Sequence, residues 1–173
     1  MDVNRLDLLS AAEAARAIHA GAISSVQLVE ACLARIREVE PQVQAWHYLD
    51  EAHALTQARA RDLDRSEGRS TGALHGVPVG LKDIIDTADM PTEDGTALHA
   101  GRTPDRDATV VTMLRAAGAV ILGKTVTTEL ATYTAGKTRN PHNPEHTPGG
   151  SSSGSAAAVA AGGHHLTPDV PRP

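Results

Sequence analysis

Residues 149–162 read Gly-Gly-Ser-Ser-Ser-Gly-Ser-Ala-Ala-Ala-Val-Ala-Ala-Gly. No other stretch of this 173-residue chain restricts its own fold as tightly. Glycine lets the backbone take positive φ and approach other groups closely. Serine offers hydroxyls that donate or accept. Alanine favours helix and leaves room for close packing. A flexible Gly/Ser linker is the alternative, but a linker does not run straight into the helix-forming, apolar run Ala156–Ala161. A Gly/Ser turn feeding a close-packed helix is instead a way to hold small hydroxyls and backbone N–H groups at a reactive centre.

The rest of the chain supplies a scaffold for such a turn. Ser10 followed three residues later by Glu13 reads as a capping box, with Leu9, Ala14, Ala15 and Ile18 as a helical stripe and Gly21 as its end. Ser24 or Ser25 caps a second helix. Val26, Leu28, Val29, Cys32, Leu33, Ile36 and Val39 recur at helical spacing, and Pro41 is expected to stop it. Residues 44–49 are a short strand candidate, and a third helix is expected from about Asp50 to Asp64. Residues 1–65 therefore read as a helical layer, in which His19, His47 and His53 stand as isolated histidines.

From residue 66 the texture becomes α/β. Leu74 to Asp86 is a strand-like apolar run broken by Gly and Pro. Met90 to Pro104 is irregular. Asp107 or Thr109 is expected to cap a helix over Val110–Ala117, and Ala119–Leu122 then reads as a buried strand. Thr127–Thr134 is a candidate short helix, and three prolines mark Thr138–Pro148 as a loop.

Composition narrows the function. There is no Phe, and Trp46, Tyr48 and Tyr133 are the only aromatics, so base stacking on nucleic acid has little to work with. A net charge of -5 argues against nucleic acid or an anionic membrane as partner. The single cysteine, Cys32, excludes an internal disulfide or a cysteine-based zinc site. No apolar run is long enough to span a bilayer and the N-terminus lacks a secretory pattern, so a cytoplasmic protein is expected. Residues 118–125 spell the phosphate-loop pattern letter for letter, yet here the residues between the glycines are themselves the strand and a helix precedes them. That inverts the context the mechanism needs, so a nucleotide site is refused and Lys124 is given a structural role at a strand end. No metal site is assigned either, although His164 and His165 could meet His142 or His146.

Lys82 stands among Val79, Leu81, Ile84 and Ile85. Either the amine is drawn into that apolar setting, where burial lowers a lysine pKa, or it pairs with Asp83 or Asp86 at the surface. A lysine and a later Gly-Gly-Ser-Ser turn form a known means of activating a hydroxyl. At this point the chain resembles the amidase signature family. The resemblance is carried by Gly76–Asp83, Asp107–Val111, Gly118–Thr125, Thr138–Pro144 and, most specifically, Thr147–Ala158.

The resemblance implies an α/β fold, an N-terminal fragment of a mixed sheet flanked by helices, over residues 1–162. It implies hydrolysis of a small-molecule carboxamide by a Ser–cis-Ser–Lys triad, without a cofactor. Lys82 matches the base and Ser151 the bridging serine after a cis peptide bond. Gly149, Gly150 and Ser152 match the loop that supports the site and its oxyanion. Ser153 stands where many members have glycine. The nucleophile of the family lies on a second Gly-rich loop, and no residue here matches it. Residues 163–173 instead form an aberrant Pro/His tail, read as a truncated or frameshifted end. Such a fragment is expected to expose sheet edges and to lack activity alone. Two other readings stay open. One is the amide-releasing component of a tRNA-dependent amidotransferase, although Thr127–Leu130 lacks the Asp-Glu-Phe expected there. The other is a non-catalytic binding fragment. The oligomeric state is left open, a homodimer included.

Overall fold

A computed structural model describes residues 5–69 and 72–162. Its elements in chain order are α1 (Ala11–His19), α2 (Ser25–Val43), β1 (Trp46–Leu49), α3 (Glu51–Ser66), β2 (Pro78–Lys82), α4 (Thr109–Ala116), β3 (Val120–Thr125) and α5 (Ser153–Ala160). The fold is mixed α/β, as expected.

Local chemistry sets the helix ends. Ser10 and Glu13 form the expected capping box, with Glu13 N–H on the serine hydroxyl and Ser10 N–H on the Glu13 carboxylate. Ser24 caps α2 in the same way with Gln27. The next two amides, Ser25 N–H and Val26 N–H, donate to the Asp62 carboxylate of α3 at 2.7 and 3.0 Å. A negative charge thus sits at the positive end of α2 and ties the two helices together.

Three boundaries differ from expectation. Helix α2 runs through Pro41 to Val43 and ends at Gln44, whose φ is 53°. Pro41 removes one N–H only in the last turn. That end is held by Gln44 N–H on the Glu40 carbonyl and by the Glu40 carboxylate, which accepts from Ala45 N–H and Trp46 N–H at 2.9 Å each. Helix α4 begins after Ala108, with no side-chain cap. Asp107 binds Ala88 N–H and Arg115 Nε instead. Residues 127–134 hold a single 3₁₀ turn, Glu129–Ala131, in which Leu130 and Ala131 have positive φ.

The sheet order is β1-β3-β2, with β1 antiparallel and β2 parallel to the central β3. Its apolar residues are buried on both faces. Val120, Leu122 and Trp46 pack under α2, α3 and α5 with Val29, Leu33, Ile36 and Ala158. Val79, Leu81 and Ile121 pack on the α4 side with Ile85, Met90 and Val111. This explains why β2 and β3 read as apolar runs rather than as alternating patterns. Among the described residues, no helix is long and apolar enough to cross a membrane.

Candidate active site

Lys82 is the last residue of β2 and is only 5% exposed. Val79 and Leu81 face α4, so strand alternation turns Lys82 to the α5 side. There its Nζ donates to Ser151 Oγ at 2.7 Å, across 69 residues of sequence. The surface alternative is not what is found: Asp86 pairs with Arg102, and Asp83 is buried.

The Gly/Ser stretch forms the turn entering α5. The Gly150–Ser151 peptide bond is cis. Ser151 is half-buried, and its carbonyl accepts from Thr128 N–H at 2.9 Å. A Cβ on Gly150 would lie 2.6 Å from Thr128 Cγ2, so the turn and Thr128 pack without room for a side chain. Gly149 has φ 86°, and its N–H is engaged inside the loop by Thr147 Oγ1 at 3.2 Å. Ser152 stands at the helix N-cap position, and its carbonyl accepts from Ala156 N–H.

Close packing of α5 is what brings the turn to the strand ends. A Cβ on Gly154 would sit 2.3 Å from both the Ala45 carbonyl oxygen and the Val126 nitrogen. Gly154 N–H donates to the Val126 carbonyl at 2.9 Å. Ser155 Oγ and Thr125 Oγ1 are 2.8 Å apart below it. The run of small residues therefore lets a helix N-terminus press on the ends of β1 and β3. Chemically, the result is a buried amine in hydrogen-bond contact with a half-exposed hydroxyl, a geometry in which a proton can pass between them.

The other face of the sheet carries a second lysine. Lys124 is fully buried, and its Nζ donates to the Ile85 carbonyl at 2.7 Å and to the Thr92 hydroxyl. Burial pushes its pKa down to about 8, against the opposing pull of Asp83, Asp86, Asp89 and Asp94. Asp83 is raised above the ordinary aspartate value by burial, although Glu93 N–H, Gly95 N–H and the charges of His47 and Lys124 act the other way. His47 Nε2 lies 2.5 Å from Glu93 Oε2 and 3.7 Å from Asp83 Oδ2. Among the described residues, no group of three or more His, Cys, Asp or Glu is set to hold a metal ion. His164 and His165 lie outside the described residues.

A family model described as Amidase matches residues 27–167 of this sequence. The chain belongs to the amidase family. The A-type subunit of the glutamyl-tRNA(Gln) amidotransferase of Chloroflexus aurantiacus is 45% identical over 155 residues, covering 86% of this chain and 32% of that protein. The native peptide amidase of Stenotrophomonas maltophilia superposes with a TM-score of 0.86 at 39% identity, covering 92% of this chain and 35% of that one. A fatty acid amide hydrolase gives a TM-score of 0.88 at 30% identity, covering 96% and 30%. This amidase-family chain thus spans about a third of the length of the relatives it matches.

Within the family fold, three groups around the pair and its flanking loop are not singled out as part of the site by the sequence pattern. Thr128 falls inside the expected short helix. Asp83 reads only as an alternative surface partner for Lys82, and His47 as an isolated histidine. A signal does exist for Lys124. Leu81–Lys82 and Gly123–Lys124 are both strand positions carrying a lysine inside an apolar run, and pairing the strands puts Leu81 opposite Lys124 and Lys82 opposite Thr125.

Proposed function

We propose that this chain carries the proton-transfer half of an amidohydrolase that cleaves a small-molecule carboxamide to a carboxylate and ammonia or an amine. The observation that carries the reading is the 2.7 Å contact between Lys82 Nζ and Ser151 Oγ. Neutral Lys82 takes the Ser151 hydroxyl proton, and Ser151 in turn takes the proton of an attacking serine. That serine adds to the amide carbon, the C–N bond breaks, and the nitrogen leaves with a proton. Water then releases the acid from the acyl-enzyme. Gly149, Gly150 and Ser152 shape the loop in which the oxyanion is held. No residue of the sequence matches the family's attacking serine, so the reading assigns the chain a base and a bridge. It needs no cofactor, nucleic acid or membrane, and the site is read as cytoplasmic.

The test has two parts. The 173-residue chain is expected to release no ammonia from a panel of carboxamides. Turnover abolished by Lys82→Ala would overturn that and make Ser152, Ser153 or Ser155 the nucleophile. Residues 27–162 are then substituted for the matching segment of the peptide amidase. The chimera is expected to hydrolyse its amide and to lose at least 100-fold, as an order of magnitude, on Lys82→Ala or Ser151→Ala. A folded chimera whose turnover ignores both changes refutes the assignment.

A second reading is favoured by the 45% identity to an A-type amidotransferase subunit. In that case the amide is cleaved within an assembly of partner subunits. Thr127–Leu130 departs from the Asp-Glu-Phe expected of such subunits. Glutamine cleavage by the chimera only when partner subunits are added would decide for this reading.

A further inference from the structure

Lys124 has no part in the proton path, yet it is a fully buried amine beside it in the sheet. We propose that Lys124 is a positioning residue for the Lys82–Ser151 pair. Its amine sets the loop of residues 83–96, and that loop grips both members of the pair. The inference rests on the reading of Lys82 and Ser151 as base and bridge.

The grip can be followed atom by atom. Lys124 Nζ holds the Ile85 carbonyl at 2.7 Å and the Thr92 hydroxyl, at the start and near the end of the loop. Just outside those two anchors the loop closes on Asp83. Glu93 N–H and Gly95 N–H donate to its carboxylate at 3.1 and 3.3 Å, and Asp94 N–H donates to its carbonyl at 2.9 Å. Asp83 follows Lys82 directly in the chain, and its own N–H is fixed by the Thr125 carbonyl at 3.0 Å. The base is therefore held from one side of the loop.

The bridge is held from the other side. Leu130 N–H donates to the Asp94 carbonyl at 2.8 Å, and Thr96 Oγ1 donates to Glu129 at 3.0 Å. These bonds dock the loop against the 3₁₀ turn Glu129–Ala131. Immediately before that turn, Thr128 N–H holds the Ser151 carbonyl, and Thr128 Cγ2 fills the space against Gly150. One loop thus touches Lys82 through Asp83 and Ser151 through Thr128. A buried amine must be hydrogen-bonded, at a desolvation cost that an apolar side chain of similar length does not carry, and both of its acceptors here come from this one loop.

The chain has three lysines, Lys82, Lys124 and Lys137, and Lys137 is exposed. Carbon-13 labelling at lysine Cε therefore gives three lines to assign. In the 173-residue chain, Thr92→Val and Lys124→Met are expected to move the Lys82 line by more than its width. Ile36→Val, a core truncation in α2 remote from the loop, is expected to leave it in place. If Lys124→Met does not fold, Thr92→Val decides alone. A folded Thr92→Val chain with an unmoved Lys82 line overturns the inference, as does an equal shift in Ile36→Val. Ser151→Ala separates this from failure of the underlying reading. A Lys82 line that ignores Ser151→Ala sinks the base-and-bridge pair itself. A line that responds to Ser151→Ala but not to Thr92→Val sinks only the positioning role of Lys124.

Discussion

Two lysines sit almost side by side on neighbouring parallel strands, on opposite faces of one sheet, and their surroundings differ in kind. Lys82 meets a serine hydroxyl on a half-buried turn. Lys124 meets a backbone carbonyl and a threonine in the interior. Each amine has a hydroxyl within reach, but the two hydroxyls differ in access: Ser151 is half-exposed, whereas Thr92 is fully buried. A half-exposed hydroxyl can exchange a proton with an incoming group, whereas a fully buried one can only tie interior atoms together. Burial of the amine does not separate the two lysines, since both are buried; the access of the partner does.

The comparison can be broken at several points, in decreasing size of effect. Lys124→Ala removes a fully buried stem and leaves the Ile85 carbonyl with only the long 3.5 Å bond from the Thr92 hydroxyl, so stability to urea should fall by about 4 kcal/mol. Lys82→Ala, at the border of the Gly/Ser turn, should lose less than half as much. Equal losses would erase the distinction.

Next comes pH. Lys124 has its pKa lowered from 10.5 to about 8 in the fold, so between those values the unfolded chain holds the extra proton. Stability should then rise with pH across that window, by up to roughly 3 kcal/mol, with the full burial cost present below it. The rise is read as the difference between the unsubstituted chain and Lys124→Met in urea titrations from about pH 7 to pH 10.5. A difference that stays constant across the window refutes it.

Gly154→Ala tests the α5 face. A methyl 2.3 Å from two backbone atoms must push the helix away, which should lower stability by about 2 kcal/mol. It should also disturb the Lys82 line while sparing that of Lys124. The smallest effect is expected for Ser24→Ala, far from both lysines. Loss of the α2 cap should lower stability by about 1 kcal/mol and move neither lysine line.

Much of this is legible in the sequence where a local rule and the final fold agree. The capping box at Ser10, a serine cap at Ser24 or Ser25, the strand over Trp46–Leu49, the helix over Glu51–Ser66 and the buried strand from Val120 all follow from spacing and cap chemistry. The strand reading inside the Gly118–Thr125 motif also follows, since Val120–Thr125 form β3 directly after helix α4. The departures come where distant residues override a local signal. Pro41 is tolerated because Glu40 reaches forward to the backbone of Ala45 and Trp46. Residues 127–134 do not form a helix because Leu130 N–H and Thr128 N–H bind Asp94 and Ser151 rather than their own turn. At the site, the position of Lys82 in an apolar strand is readable, whereas the choice between Ser151 and an aspartate as its neighbour depends on the packing of α5. The role of Thr128 has no local signature, since it is exerted through a backbone amide.

The strand order has a consequence for synthesis of the chain. Among the described residues, strands β1 and β2 do not pair with each other, and each has its neighbour in β3, which begins at Val120. A ribosome delivering this polypeptide therefore releases two strands well before the one that joins them. Until then the nascent chain can build the α2–α3 pair, held by Asp62, but its strands present unmatched amides and carbonyls. The late arrival of the central strand makes that interval the one in which a chaperone, or another copy of the chain, has most to bind.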